Sequence, residues 1–163
     1  VVEFRGNVQT RLRKLDDGLA AATFLAMAGL RRLGMVEAAG AAPIEPDEML
    51  PAVAQGCIGV ESRRDDARVS DLLSAIHHRP TGLRLAAERA FLGGLDGSCQ
   101  TPIAGLAELG ADGGLRFRGE ILRPDGSERL TVELAGLAAD GPALGAAAAA
   151  ELRGRAGRGF FDG

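Results

Sequence analysis

Cys99 is the residue of this chain best placed for covalent chemistry, because of what surrounds it. The segment Glu88-Arg89-Ala90-Phe91-Leu92-Gly93-Gly94-Leu95-Asp96-Gly97-Ser98-Cys99-Gln100-Thr101-Pro102-Ile103-Ala104 sets a thiol on a Gly-rich loop after a helical pattern. A thiolate attacks carbon electrophiles well, and its pKa follows local charge and exposure. The small residues before it, Gly97 and Ser98, leave room for a bulky group bonded to the sulfur. A lone cysteine also reads as a small buried hydrophobe, and composition alone leaves both readings open. The other cysteine is Cys57. Two are too few for a disulfide scaffold and fit a reducing compartment.

Arginines are the second chemical resource. Lys14 is the only lysine, so the cationic side of the sequence is almost all guanidinium. That group offers a rigid fork for carboxylates that an ammonium lacks. The net charge of −3 hides an asymmetry: residues 1–34 carry six cations against Glu3, Asp16 and Asp17, or +3, so the remainder carries −6. A basic first fifth in an acidic chain points to a small anionic ligand, not to nucleic acid, which demands a broad basic face. Arg5 and Asn7 stand at a turn and Arg11 one turn into a helix, an arrangement that forms an anion site from backbone N–H groups and the helix dipole. The His77-His78 pair does not chelate easily, since adjacent helical residues point apart. No second ligand cluster is evident, so no metal is expected.

The elements that must position these groups follow from patterning. Residues 1–4 read as a buried strand end, Asn7 as a helix N-cap, and 8–17 as a helix closed by Gly18. The apolar run 21–27 suits a buried parallel strand, with a helix not excluded by periodicity, and is followed by a short helix with Arg31 and Arg32. A loop with Pro43 and Pro46 leads to a strand at 57–61. Asp65 or Asp66 caps a helix to about residue 78, with Val69, Leu72, Leu73 and Ile76 on one face. Thr81 reads as the N-cap of a second helix, whose stripe is Leu83, Ala86, Ala87, Ala90 and Phe91, ending at Gly93-Gly94. Strands are expected at 103–109, 115–122 and 129–134, a helix at 143–153, and a loose tail at 154–163. No apolar run reaches the roughly 18 residues of a membrane span. The chain starts at Val1 inside an expected strand, so the native N-terminus is expected upstream.

Four ordered stretches carry a resemblance. Arg5-Gly6-Asn7-Val8-Gln9-Thr10-Arg11-Leu12, Leu25-Ala26-Met27-Ala28-Gly29-Leu30-Arg31-Arg32-Leu33-Gly34, Leu50-Pro51-Ala52-Val53-Ala54-Gln55-Gly56 and the Cys99 segment resemble landmarks of the porphobilinogen deaminase (hydroxymethylbilane synthase) family. In the last of these, the matching residues are Glu88, Arg89, Phe91, Leu95, Gly97, Ser98, Cys99, Thr101, Pro102 and Ile103. The likeness covers the C-terminal half of that enzyme. It implies an α/β fold: the C-terminal part of a periplasmic-binding-protein-like domain, then a small α+β domain with a three-stranded antiparallel sheet. Residues 1–55 would complete the second, chain-binding domain, 56–69 would return to a first domain that is mostly missing, and 70–163 would form the cofactor-attachment domain.

The resemblance also implies a reaction. Four porphobilinogen units join head to tail on a dipyrromethane cofactor held by Cys99 through a thioether. Each loses ammonia to give an electrophilic methylene-pyrrolenine, and the product feeds tetrapyrrole (haem, chlorophyll) biosynthesis. By the same likeness Arg5, Arg11 and Arg32 bind the carboxylates of cofactor and substrate, with Asn7 and Gln55 as further contacts and Arg89 supporting the cysteine loop. The family's catalytic Asp and its Lys-rich cofactor contacts lie in the missing domain, so no catalytic residue is expected here and the chain alone should not turn over. A cytoplasmic transferase is implied, monomeric when complete, without nucleic acid or membrane partners. Ala54 and Cys57 depart from the Gly and Ala the family often has there. Two other readings stand beside this one: a non-catalytic module binding carboxylate or phosphate through Arg5 and Arg11, and a thiol enzyme pairing Cys99 with His77 or His78.

Overall fold

The structure, a computed structural model, describes residues 2–97 and 101–162. The chain divides into two units, Val1–Glu45 and Pro46–Gly163.

The first unit holds two helices. In α1 (Val8–Asp16) the Asn7 Oδ1 accepts the Thr10 N–H at 2.9 Å, the N-cap its position predicts. Gly18, at φ 74°, closes the helix with a left-handed turn in which Leu19 N–H reaches back to the Lys14 carbonyl. The second helix, α2 (Met27–Arg32), ends the same way at Gly34 and buries Leu30 completely.

The strands expected at 1–4, 21–27 and 57–61 do not form among the described residues. A strand needs a lateral partner for its backbone groups, and the one sheet present does not reach these segments. Their apolar side chains stay uncovered: Phe24 is 69% and Ile58 90% exposed.

The second unit follows the expected order of helix, helix, three strands, helix. Asp66 caps α3 (Ala67–Ser74) by accepting the Val69 N–H at 3.0 Å. This helix stops short of residue 78, and Leu72 and Ile76 of its expected apolar face are exposed. The next helix, α4 (Arg79–Gly94), is capped by His78, not by Thr81. Pro80 fits this start, since its fixed φ and missing N–H suit the first helical turn. Thr81 then lies inside the turn, where its hydroxyl meets His78 Nδ1 at 2.8 Å.

Strands β1 (Ile103–Leu109), β2 (Gly114–Leu122) and β3 (Arg129–Leu137) form an antiparallel meander in the order β1-β2-β3. Alternation decides the faces. Ala107, Leu115, Phe117, Ile121 and Val132 point inward, while Arg116, Arg118, Thr131 and Glu133 point outward. Helices α4 and α5 (Gly141–Ala156) cover the inner face, the latter entered through a 3-10 turn at Ala138–Asp140. Phe91 and Phe117 are fully buried with ring centroids 5.0 Å apart. Each such burial stabilises the fold by about 2–3 kcal/mol.

The two helices approach closely because the contact is made of small residues. A Cβ on Gly145 would stand 2.0 Å from the Ala87 carbonyl oxygen. Nor is the tail loose as expected: α5 runs to Ala156, and Phe160 is 2% exposed. Its ring lies beneath the Arg123 guanidinium at 4.9 Å and edge-on to Phe161.

Candidate functional site

Ahead of Cys99 in the sequence, α4 ends in a defined turn. Gly97 N–H bonds the Leu92 carbonyl at 3.1 Å and Asp96 N–H the Gly93 carbonyl at 3.2 Å, the paired pattern of a Schellman motif. The left-handed residue is Asp96, at φ 53°, and not either glycine of the expected stop. A Cβ on Gly97 would sit 2.5 Å from Leu92 Cδ1 and 2.6 Å from Ile103 Cδ1, so a larger residue at this step requires those two side-chain ends to shift. Asp96 is also held from outside, since Arg153 Nη2 donates to its carboxylate at 2.9 Å. Cys99, with Ser98 and Gln100, lies outside the described residues. The chain resumes at Thr101 and enters β1, where Pro102 accepts the Leu122 N–H at 3.0 Å. Both banks of the loop are therefore fixed by backbone bonds.

Glu88 ties a distant segment to this frame. It is 7% exposed on the inward arc of α4. Its Oε2 accepts the Ala54 N–H at 2.8 Å and its Oε1 the Ala107 N–H at 2.9 Å. The segment before Ala54 pairs along the same strand: Gly105 N–H donates to the Pro51 carbonyl at 3.0 Å, and Ala52 bridges Ala104. Ala54 itself is left-handed, at φ 62°. Gln55 follows, exposed to solvent. In the sequence Glu88 stands out only as half of a Glu-Arg pair. The available signal was a carboxylate between Ala87 and Phe91 on a buried arc, where a charge requires partners. Arg89, by contrast, is exposed and forms no ion pair with a described residue.

In the first unit Arg5, Arg11 and Lys14 gather around one turn, while the predicted Arg32 lies on α2. Arg11 Nε donates to the Gly6 carbonyl at 3.0 Å, and Lys14 Nζ to the Arg5 carbonyl at 2.8 Å. These bonds fix the turn and leave the outer guanidinium nitrogens of Arg11 for a ligand. Arg5 is paired with Glu3 at the surface. Asn7 spends its carbonyl oxygen on the cap and keeps two amide donors. Arg32 closes α2, exposed. The donor set suits a polycarboxylate, since guanidinium groups take carboxylates bidentately.

Two other clusters prove to be of different character. On the outer face of the sheet, Arg116 forms a two-pronged bond to Glu133 at 2.7 and 2.8 Å, and Arg118 links Asp47 and Glu108. The Arg116 hydrogen bonds hold the Glu133 carboxyl below its ordinary range. In this network two arginines share three carboxylates, and the buried Arg118 Nε has no hydrogen-bond partner among the described residues. A cavity of about 510 Å³ is lined by Cys57, Ile58, Ile76, His77 and His78, among others. Among the described residues no three His, Cys, Asp or Glu side chains come together as a metal site.

Comparison with known proteins gives these features a setting. Residues 1–71 match the family model described as "Porphobilinogen deaminase, dipyromethane cofactor binding domain". Residues 83–154 match "Porphobilinogen deaminase, C-terminal domain". The chain is 70% identical over 162 residues to a porphobilinogen deaminase of Paracoccus denitrificans, covering 99% of this chain and 51% of the relative. It is 53% identical over 157 residues to that of Nitrobacter hamburgensis (96% and 49% covered) and 52% over 161 to that of Nitrobacter winogradskyi (99% and 50%). The chain thus spans about half the length of the curated relatives it matches.

Proposed function

The chain belongs to the porphobilinogen deaminase family, and from that premise we propose that it serves a hydroxymethylbilane synthase. The whole protein would join four porphobilinogen units head to tail with release of ammonia, in tetrapyrrole biosynthesis. Cys99 would hold the dipyrromethane cofactor through its sulfur, and that group would supply the nucleophilic pyrrole end for chain growth. Residues 1–55 complete the chain-binding domain, 56–69 return to the first domain, and 70–163 form the attachment domain. The setting is cytoplasmic; no described helix is long and apolar enough to cross a membrane.

Each described residue has a part in that reading. Arg5, Arg11 and Arg32 neutralise the acetate and propionate groups that accumulate as the chain lengthens. Arg11 is oriented by its bond to Gly6, so its free edge meets a carboxylate without a search of rotamers. Arg5 exchanges its exposed partner Glu3 for the ligand, an inexpensive step because surface ion pairs contribute little. Asn7 and Gln55 add neutral donors. The turn at Asp96-Gly97 fixes the last described residue before the Cys99 segment.

What supports the reading is the Glu88–Ile103 segment, which holds Cys99 within a chain matched along 99% of its length by a named relative. Intact mass of the full-length protein tests it. A two-pyrrole adduct is expected, lost in Cys99→Ser together with turnover. A free Cys99 thiol in active full-length protein overturns the reading. Carboxylate binding that is indifferent to Cys99→Ser, in a protein without turnover, would instead favour a non-catalytic binding module.

A further inference from the structure

We propose that Glu88 is a positioning residue: its carboxylate holds Ala54 in the left-handed conformation and so sets where Gln55 presents its amide. The inference rests on the reading of Gln55 as a contact for the pyrrole chain.

An L-residue with a Cβ avoids φ near 62° because the Cβ crowds the following carbonyl. Such a conformation persists only where its surroundings over-determine it. Here the surroundings are on view. Upstream, Pro51 and Ala52 are fastened to β1 through Gly105 and Ala104. Downstream, Gln55 N–H closes on the Ala52 carbonyl at 3.1 Å and Cys57 N–H on the Ala54 carbonyl at 3.0 Å. The Ala54 N–H itself goes to Glu88. Both oxygens of that buried carboxylate are engaged by backbone amides, and charge-assisted bonds of this kind are the strong ones.

The arrangement has a consequence for the site. Glu88 stands on α4, the helix that runs straight into the Cys99 loop. Its other oxygen is anchored on β1, the strand that leaves that loop. One carboxylate therefore ties the Ala54-Gln55 step to both described elements that flank Cys99 in the sequence, α4 and β1. Gln55, Arg84 and Glu88 share the wall of one cavity of about 190 Å³.

Glu88→Gln, made in the full-length protein with its cofactor attached, tests the clamp. A glutamine offers one acceptor and one donor, so one of the two amides loses its partner. The expected result is Ala54 amide exchange faster by at least about tenfold, with kcat/KM for porphobilinogen lower by about the same factor. Adding Ala54→Gly should then restore most of that loss, because glycine holds the left-handed conformation unaided. An unchanged Ala54 exchange rate, or an equal loss in the single and double variants, overturns the proposal. Should Glu88→Gln fail to fold, the unsubstituted protein decides: Ala54 must exchange as slowly as Ala107, and free exchange at Ala54 overturns the clamp. The exchange measurement needs no turnover. It therefore judges the clamp separately from a protein that consumes no porphobilinogen, which would overturn the functional reading instead.

Discussion

Asp96 Oδ2 accepts a hydrogen bond from Arg153 Nη2 at 2.9 Å, joining the left-handed turn after α4 to the last turn of α5. The pair is exposed on both sides, so its own contribution to stability is under about 1 kcal/mol. Its value is geometric, because Asp96 is the left-handed residue at which α4 ends.

That geometry separates two substitutions. Asp96→Ala loses the bond and places a plain Cβ at φ 53°, and is expected to destabilise the chain by about 1–2 kcal/mol. Asp96→Gly loses the same bond but relieves the backbone, and should lose less than half as much. Denaturant midpoints of the two variants check this; equal losses would mean that the turn conformation carries no strain.

The α4–α5 contact makes a sharper contrast. Gly145→Ala drives a methyl into the Ala87 carbonyl and should cost about 3 kcal/mol or more as the helices part. Gly154→Ala lies in the same helix with open space around it, and should stabilise by about 0.5–1 kcal/mol. Urea unfolding of both variants measures the difference. A tolerated Gly145→Ala would contradict the packing described.

Acid should weaken the sheet through Glu133. Its carboxyl is held below the ordinary value of about 4.3 by the Arg116 hydrogen bonds, so the folded state binds its proton less readily than the unfolded chain does. This contribution is fully present above that value and is lost as pH falls through the depressed one. Thermal midpoints between pH 5 and 3 should fall less steeply in Glu133→Gln than in the parent protein. Parallel curves would exclude the pair as a source of acid sensitivity.

The tail gives the fourth expectation. Phe160→Ala empties a site that is 2% exposed and removes the ring beneath Arg123, with a loss of about 3–4 kcal/mol. Phe161→Ala, half-buried beside it, should lose less. Calorimetry of the two variants ranks them.

Much of this was legible in the sequence where local chemistry decides. Asn7 and Gly18 bound α1, and the alternation of Leu130, Val132 and Leu134 marks the inner face of β3. The strand expected at 103–109 is β1 to the residue. Apolar runs misled where burial depends on a partner. Residues 21–27 and 57–61 have strand composition, but composition does not supply the neighbouring strand. Phe160 escaped notice because a single ring anchors a Gly-rich tail with no periodicity around it. The role of Glu88 was invisible for a related reason: the amides it serves lie 34 and 19 residues away, and only the fold brings them together. The arginines of the candidate site were readable as residues and their anchoring bonds were not, since those depend on the turn at Gly6.

The bonds along the two margins of the sheet have an effect on how copies of this chain meet one another. At one margin the outward amides of Gly105 and Ala107 are taken by Pro51 and Glu88; at the other, Arg155 occupies the Thr131 carbonyl at 2.7 Å. An incoming strand would find these docking points already used. On β3 this covers one carbonyl only, so the protection against an added strand is concentrated along β1, at Gly105 and Ala107.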